Sequence, residues 1–466
     1  MTPTHFVDVA ILGAGTAGMA AYRAAAAQTD SVVLIEAERY GTTCARVGCM
    51  PSKLLIAAAE AAHAAREAPR FGVDVGGVAV DGARVMARVR AERDRFVGFV
   101  VRTAESFPEA HRLLGHARFL DDHTLVVGDP NDGGAVVRAR SIVVATGSRP
   151  RVLPFLEALG DRVVVNDDIF DWTDLPESVL VFGPGVIGLE LGQALHRLGV
   201  RVRIFGVGGF VGPLSDPEIR EEARRMIDAE VPLDPDAAVT SLERVPEGVR
   251  VTWEVAGELR TETFAYVLAA TGRTPNVDRL GLQHTSLALD KRGVPVYDPT
   301  TMRCGASSIF LAGDANADVP LLHEAADEGR IAGDNAGRFP DVRPGVRRSP
   351  LSVVFSDPNI AMAGEMWSQV KGRDPVVGRV SFEDQGRARV LLQNRGRLNV
   401  YAERSTGRFL GAEMIAPRAE HLAHLLAWAH QQGLTVDQML AMPFYHPVIE
   451  EGLRTALRDA AAQLAL

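Results

Sequence analysis

Cysteine is scarce in this chain: three residues in 466, at Cys44, Cys49 and Cys304. So few thiols cannot build a disulfide scaffold, and in a cytosolic protein a disulfide is usually catalytic or redox-sensing. Positive charge is not in excess either. A net charge of −9 argues against nucleic acid or an anionic membrane surface as partner. No long apolar run is free of polar breaks: the stretch from Leu54 to Ala65 contains Glu60 and His63, so no membrane span is expected. The opening Met1-Thr2-Pro3-Thr4-His5 lacks the basic region of a signal peptide. Low-complexity segments are missing too. A soluble, cytoplasmic protein is the expectation. The composition is 47% hydrophobic, enough for sizeable cores, over a length that suggests roughly three domains.

Two of the three cysteines sit close together, in Gly41-Thr42-Thr43-Cys44-Ala45-Arg46-Val47-Gly48-Cys49-Met50-Pro51-Ser52-Lys53. A structural staple across so short a loop would remove little unfolded-state entropy. A zinc site would need two further ligands, and the only other cysteine is Cys304. Reversible disulfide chemistry fed by a cofactor fits better, because a nucleotide fingerprint lies just upstream.

That fingerprint is a βαβ unit. Phe6 to Leu12 reads as a buried strand, Gly13-Ala14-Gly15-Thr16-Ala17-Gly18 as the turn, Met19 to Ala27 as an Ala-rich helix, and Val32 to Ile35 as the next strand, ending at Glu36. Such glycines let the backbone approach a pyrophosphate at a helix N-terminus, and the acid receives ribose hydroxyls. The pattern recurs. Val179 to Phe182, Gly183-Pro184-Gly185-Val186-Ile187-Gly188, a helix from Leu189 to Leu198 and a strand from Val200 to Phe205 form a second unit. Two such units imply two nucleotides, a flavin and a nicotinamide.

Between the units, Gly115 to Val144 reads as short strands, with turns at Asp121-Asp122 and across Asp129 to Gly134. Ala145-Thr146-Gly147 closes that region, Ala270-Thr271-Gly272 echoes it, and a strand from Ile309 runs into Gly313-Asp314. After Arg343-Pro344-Gly345 the pattern mixes strands with helices near Glu420 to Gln432 and Ile449 to Ala462, which suggests an α+β domain. His424 and Trp428 read as packing residues, Cys304 as a bystander, and Arg343, Arg347 and Arg348 as a solvated link between domains.

Taken in order, these pieces resemble the class I pyridine nucleotide–disulfide oxidoreductases over nearly the whole chain, and among them the dihydrolipoamide dehydrogenases. The resemblance rests on Gly13-x-Gly15-x-x-Gly18 with Glu36, Cys44-x4-Cys49-x-Pro51-Ser52-Lys53, Ala145-Thr146-Gly147, and Gly183-x-Gly185-x-x-Gly188-Leu189-Glu190. It continues through Ala270-Thr271-Gly272-Arg273-x-Pro275-Asn276, Gly313-Asp314, and His446-Pro447 with Glu451. It implies an α/β protein with two Rossmann-like dinucleotide-binding domains and a C-terminal α+β dimerisation domain. The expected limits are 1–150 with 271–345 for FAD, 151–270 for NAD(P), and 346–466 for the interface.

The resemblance also implies roles. Gly13, Gly15, Gly18, Glu36, Ala117, Thr146, Gly147 and Asp314 would serve FAD. Gly183, Gly185, Gly188 and Gly272 would serve NAD, with NADP not excluded. Cys49 would be the flavin-side sulfur and Cys44 the one that exchanges with substrate, both reacting as thiolates. His446, oriented by Glu451, would be a general base lent to a partner subunit in a homodimer. Lys53 and Glu190 would form an ion pair beside the flavin. The expected partner is a lipoyl-bearing carrier protein or a small dithiol or disulfide, with no nucleic acid, no membrane and no metal.

The departures concern substrate and cofactor choice. Thr42 stands where the family usually has Gly, and Ala45 and Arg46 where it has an apolar residue and Asn. Arg46 would lower a thiol pKa, contact an acidic substrate group, or point to solvent. Gly206 occupies the place of the usual acid after the second strand of the nicotinamide fold; with no cation in Gly206 to Phe210, NAD is favoured, and Gly206→Glu is expected to sharpen that preference. Arg203 is the residue that would overturn it by reaching a 2′-phosphate. Two other readings stand: a reductase of another small disulfide or of mercuric ion, and a non-catalytic flavin-binding subunit. The mercuric reading is disfavoured because no C-terminal cysteine pair is present, and the subunit reading because Cys44, Cys49, His446 and Glu451 are all intact.

Overall fold

A computed structural model describes residues 3–129 and 133–465. The chain forms two compact units. One comprises Met1–Pro51, Arg90–Arg151 and Arg273–Arg348; the other comprises Ser52–Val89, Val152–Gly272 and Ser349–Leu466.

The first unit is built on a sheet whose parallel part runs Arg112–Leu114, Val32–Glu36, Thr4–Leu12, Ala135–Val144, with Ile309–Leu311 pairing on the last of these. Alternation along Thr4–Leu12 splits the core between its faces. Val9 and Ile11 join Leu34 and Val143 on one face, while Ala10 and Leu12 join Val33, Ile35, Ile142 and Val144 on the other. The helices Thr16–Ala26 and Leu322–Arg338 cover the first face, meeting through small residues: a Cβ on Gly329 would lie 2.1 Å from the Ala17 carbonyl oxygen. This contact is why the first helix is rich in alanine. It starts at Thr16, three residues earlier than the sequence suggested, because Gly15 already serves as its extended N-cap.

The region expected to hold only short strands contains one of ten residues, Ala135–Val144. One edge of it pairs in parallel with Thr4–Leu12 along nearly its whole length; the other pairs first with Thr124–Val127, the inner strand of an antiparallel hairpin with Ala117–Asp121, and then in parallel with Ile309–Leu311. Of the expected turn at Asp129 to Gly134, Pro130, Asn131 and Asp132 lie outside the described residues; the Gly134 N–H donates to the Asp129 carbonyl at 2.8 Å.

In the second unit a parallel sheet runs Leu233–Asp234, Arg201–Phe205, Ser178–Phe182, Tyr266–Ala269, Val163–Val164, and between the first and fourth of these strands the chain makes the antiparallel meander Ala238–Val245, Gly248–Val255 and Glu258–Phe264. The same unit holds an antiparallel sheet in the order Leu351–Val354, Asn359–Gly364, Phe409–Ala416, Arg397–Ala402, Val376–Ser381. Helices Ala419–Gln431 and Glu451–Leu464 pack on it. The second helix seats on Gly378, where an added Cβ would come within 2.1 Å of the Ala456 carbonyl oxygen and 2.8 Å of the Ala460 nitrogen. Two dinucleotide folds and a C-terminal α+β part are thus both present.

Candidate active site

The two cysteines bracket a helix break. Cys44 lies in the short helix Thr43–Val47, which Gly48 ends, and Cys49 begins the long helix Cys49–Glu67. A Cβ on Gly48 would stand 3.2 Å from the Cys44 Cα and 3.1 Å from the Thr43 oxygen, so the close return of the chain favours glycine. Cys44 is half-buried and Cys49 exposed. Each cysteine stands in the first turn of its helix, the end where the backbone dipole favours negative charge. The departure at Thr42 has a local reason: Thr42 caps the Cys44 helix, its Oγ1 accepting the Ala45 N–H at 3.2 Å. Arg46 lays its stem on Gly41, where a Cβ would be 2.8 Å from its Cδ.

One turn beyond Cys49 the long helix carries Lys53. Its Nζ lies 2.7 and 2.9 Å from the two oxygens of Glu190, which is 4% exposed and so no ordinary surface carboxylate. Phe355, which the sequence reading missed, completes this group: its N–H donates to Glu190 Oε1 at 3.0 Å and its ring lies 4.5 Å from Lys53 Nζ. No motif marks it; only the fold brings it there.

His446 meets Glu451, not Glu450. Its Nδ1 is 3.0 Å from Glu451 Oε2, which also accepts the Val448 N–H at 3.3 Å, while Glu451 Oε1 accepts from Arg454 Nη2 at 2.8 Å. Burial pushes the Glu451 carboxyl up, but the Val448 N–H, His446 and Arg454 outweigh it and hold it below the usual range. An ionised carboxylate has no proton to give, so Nδ1 is the donor and Nε2 keeps the basic lone pair. The His446 side chain is 79% exposed within the single chain. Trp428 and Tyr445 are 66% and 80% exposed, and Leu425 and Met442 are exposed as well, so Trp428 is not the interior packing residue its helical spacing suggested. His424 is exposed too.

The two glycine turns are alike. Gly13 has φ +100° and its N–H donates to the Ile35 carbonyl at 2.7 Å; an added Cβ would meet the Ala145 oxygen at 2.4 Å, and one on Gly18 would meet the Gly13 oxygen at 1.7 Å. Gly183 has φ +109° and bonds the Phe205 carbonyl at 2.8 Å, with the corresponding clashes at 2.2 Å from the Ala270 oxygen and, for Gly188, 1.9 Å from the Gly183 oxygen. The middle glycines, Gly15 and Gly185, face open space, as do Gly147 and Gly272. Both cradles therefore have room for a pyrophosphate, which a side chain would fill.

Around the first turn, Glu36 accepts the Ala14 N–H at 2.8 Å, and its own carbonyl accepts the Gly115 N–H at 2.8 Å, which draws the strand starting at Ala117 alongside. The Thr146 hydroxyl oxygen is buried without a hydrogen-bond partner, a polar atom left for a ligand to satisfy. Asp314 Oδ2 accepts from Ser148 Oγ at 2.8 Å, and Arg273 Nε donates to Ser148 Oγ at 2.7 Å. Asn276 ties its Nδ2 to the Thr146 carbonyl at 3.1 Å. These contacts fit a flavin dinucleotide.

Behind Asp314 lies a carboxylate that the sequence did not flag. Glu328 is 1% exposed, and its Oε2 accepts from the Gly313 N–H and from Asn316 Nδ2, each at 2.8 Å. Arg347 Nη2 approaches Glu328 Oε1 to 2.9 Å as an ion pair without a directed hydrogen bond. Burial therefore wins and pushes the Glu328 carboxyl up to about 7. Arg347 also pairs with Glu324 at 2.8 Å, so it is a fixed structural cation rather than a solvated linker; Arg343 and Arg348 are exposed. Cys304 is buried.

In the second fold the missing acid is explained. Gly206 is buried, and a Cβ there would meet Pro184 Cγ at 2.6 Å and the Pro235 oxygen at 2.8 Å. No side chain fits, which corrects the expectation that Gly206→Glu sharpens cofactor choice. Arg203 is not free to reach that edge either: it pairs with Glu262 at 2.7 Å and lies over Trp253, 4.7 Å from the ring centroid. Among the described residues no cluster of histidine, cysteine and acid is arranged to hold a metal, and no helix is long and apolar enough to cross a membrane.

Residues 7–329 match the pyridine nucleotide-disulphide oxidoreductase family, and residues 351–457 match that family's dimerisation domain. The chain is 31% identical to dihydrolipoyl dehydrogenase 2 of Haloarcula marismortui, covering 99% of this chain and 98% of the relative. It is 29% identical to dihydrolipoyl dehydrogenase of Geobacillus stearothermophilus, covering 98% and 96%. Among solved structures, LpdA of Mycobacterium tuberculosis superposes with a TM-score of 0.83 at 26% identity, over 97% of this chain and 99% of that one. The HOCl-induced flavoprotein disulfide reductase RclA of Escherichia coli shares the fold, with a TM-score of 0.78 at 23% identity over 97% and 98%.

Proposed function

The chain belongs to the pyridine nucleotide–disulphide oxidoreductase family and is a flavoprotein disulfide oxidoreductase of dihydrolipoyl dehydrogenase type; from that premise we propose that it oxidises dihydrolipoyl groups on a carrier protein and delivers the electrons to NAD in the cytoplasm. One observation carries the reading. Cys44, Cys49, His446 and Glu451 are all present in a chain that aligns with dihydrolipoyl dehydrogenases along nearly its whole length.

In this proposal, residues 1–150 and 271–345 hold FAD through Gly13, Gly15, Gly18, Glu36, Ala117, Thr146, Gly147 and Asp314. Residues 151–270 hold NAD through Gly183, Gly185 and Gly188, with Gly272 beyond them. When bound, FAD supplies two-electron transfer between the cysteine pair and the nicotinamide. Lys53 and Glu190 form the charge pair that serves it.

The chemistry of the chain's own residues is thiol–disulfide exchange. A substrate thiolate attacks the Cys44 sulfur of the oxidised pair, and Cys49 leaves as thiolate. His446 Nε2 takes the proton of the second substrate thiol. That sulfur then attacks the first substrate sulfur and expels the Cys44 thiolate. The substrate loses two electrons and closes its disulfide; the cysteine pair gains them. Glu451 steadies the imidazolium that forms.

Residues 346–466 are assigned to a homodimer interface. The exposed Leu425, Trp428, Met442 and Tyr445 supply apolar area for a second copy, which would also receive His446. Steady-state turnover with dihydrolipoamide, glutathione disulfide and other small disulfides, each with both nicotinamides, tests the proposal. The largest kcat/KM is expected for dihydrolipoamide with NAD. A larger value for another disulfide would favour the second reading, a small-disulfide reductase, for which Arg46 between the thiols is the supporting observation.

A further inference from the structure

We propose that Asp236 sets the choice between the two nicotinamide nucleotides, in place of the acid that cannot stand at position 206. The inference rests on the reading of the second glycine turn as the NAD site. Leu233–Asp234 pairs in parallel with Arg201–Phe205, with Phe205 opposite Asp234. Asp234-Pro235-Asp236 therefore leaves the sheet at the same carboxyl edge as Gly206, the edge where dinucleotides bind in such folds.

The two segments are stitched together. Gly206 N–H donates to the Asp234 carbonyl at 2.8 Å, Ala237 N–H donates to the Gly206 carbonyl at 3.0 Å, and Gly209 N–H donates to the Pro235 carbonyl at 3.1 Å. Asp236 Oδ1 accepts the Gly208 N–H at 2.7 Å, and the Asp236 N–H donates to Asp234 Oδ1 at 3.1 Å. A carboxylate from the neighbouring strand is thus fixed onto the loop after the second strand. Asp236 is exposed, so its charge faces outward.

The local cations are already engaged. Arg201 and Arg203 both pair with Glu262, at 3.0 and 2.7 Å. Arg224, whose charge feels Asp234, is forked onto Glu221 by bonds of 2.9 and 2.7 Å. Asp234 is half-buried and its Oδ1 accepts the Asp236 N–H, which leaves Asp236 as the exposed carboxylate at this edge. A 2′-phosphate brought to this edge meets net negative charge, whereas ribose hydroxyls do not suffer from it.

Asp236→Asn isolates the charge, because the amide oxygen still accepts the Gly208 N–H. Calorimetric titration of the FAD-loaded protein with NAD⁺ and with NADP⁺ gives the affinity ratio without turnover. The wild type is expected to favour NAD⁺, and Asp236→Asn to shrink the ratio roughly three- to tenfold, chiefly by tightening NADP⁺. Added salt should shrink the wild-type ratio and leave that of the variant nearly unchanged. A wild type that favours NAD⁺ with a ratio unmoved by Asp236→Asn overturns the role of Asp236 and leaves the NAD reading standing. A larger change from Asp234→Asn than from Asp236→Asn also overturns it. A wild type that favours NADP⁺ overturns the NAD reading itself.

Discussion

The two dinucleotide folds answer the same demand with the same parts, and then diverge at the end of the second strand. Both turns place the first glycine near φ +100° and press the third against the first, with clash distances that agree to within about 0.2 Å. In both, the first glycine bonds the end of the neighbouring strand. A pyrophosphate needs these features whatever the rest of the nucleotide is. At the next step the first fold offers Glu36, fixed by the Ala14 N–H, and the second offers Gly206 walled in by Pro184 and Pro235. On the proposed assignment, the shared features serve what the two nucleotides have in common. The differing one lies where they need to be told apart.

Gly18→Ala and Gly188→Ala would break the comparison most severely. Each puts a methyl less than 2 Å from a backbone oxygen, which no rotamer relieves. A loss of more than about 3 kcal/mol of stability is expected for either, toward the severe end for single substitutions. Chemical denaturation measures the loss, and flavin content separates the two: Gly18→Ala should lose FAD, Gly188→Ala should lose NAD binding first. Equal flavin retention in both would mean the turns do not divide the nucleotides as assigned.

Next in size is Gly206→Glu. If the two folds differed only in residue type, an acid here would make the second resemble the first and improve NAD selectivity. The packing predicts the opposite: a cost of about 1–3 kcal/mol from overpacking and weaker binding of both nucleotides. Melting temperature and titration with NAD⁺ distinguish the outcomes. Glu36→Gln should have a smaller effect, about 1 kcal/mol in FAD retention, because the amide oxygen can still accept the Ala14 N–H while the charge is lost. Measuring FAD release by dialysis against chaotrope checks it.

The effect that bears least on the comparison concerns the flavin half alone. Glu328 keeps its proton to about pH 7 in the folded chain, against an ordinary 4.5. Between these values the folded form binds more protons than the unfolded one, so this group makes stability fall as pH rises from about 4.5 to about 7. Glu328→Gln should flatten that part of the stability profile, read as the urea midpoint at half-unit steps of pH. An unchanged slope would show that Arg347 keeps the carboxylate ionised.

Much of this architecture was legible because it is written in short-range patterns. Glycine spacing, strand alternation and the Cys44–Cys49 loop are local, and the elements they specify lie within a few residues of where they were expected. The long strand Ala135–Val144 was not legible, since one of its edges pairs in succession with two strands distant from each other in the chain. Ser148, Glu328 and Phe355 were missed for the same reason. Each acts on a residue far away in the chain: Ser148 on Asp314, Glu328 on Gly313, Phe355 on Glu190. Gly206 was legible as an absence, but the cause of that absence, Pro235 on the next strand, needed the fold.

The seating of helix Glu451–Leu464 on Gly378 bears on tolerance in the mechanical sense. Glu451 is the first residue of a helix whose middle meets bare backbone at Gly378, while Leu453 and Leu457 pack into the core beside it. Backbone set against backbone at that one point passes displacement on instead of absorbing it. A methyl added at Gly378 would lift the helix, and with it the carboxylate that aims His446, although the two sites are separated by dozens of residues of chain. Alignment errors of about 1 Å at a reacting group can cost on the order of a hundredfold in rate. On the proposed reading of His446 as the base, the C-terminal sheet is the bearing on which it is trued.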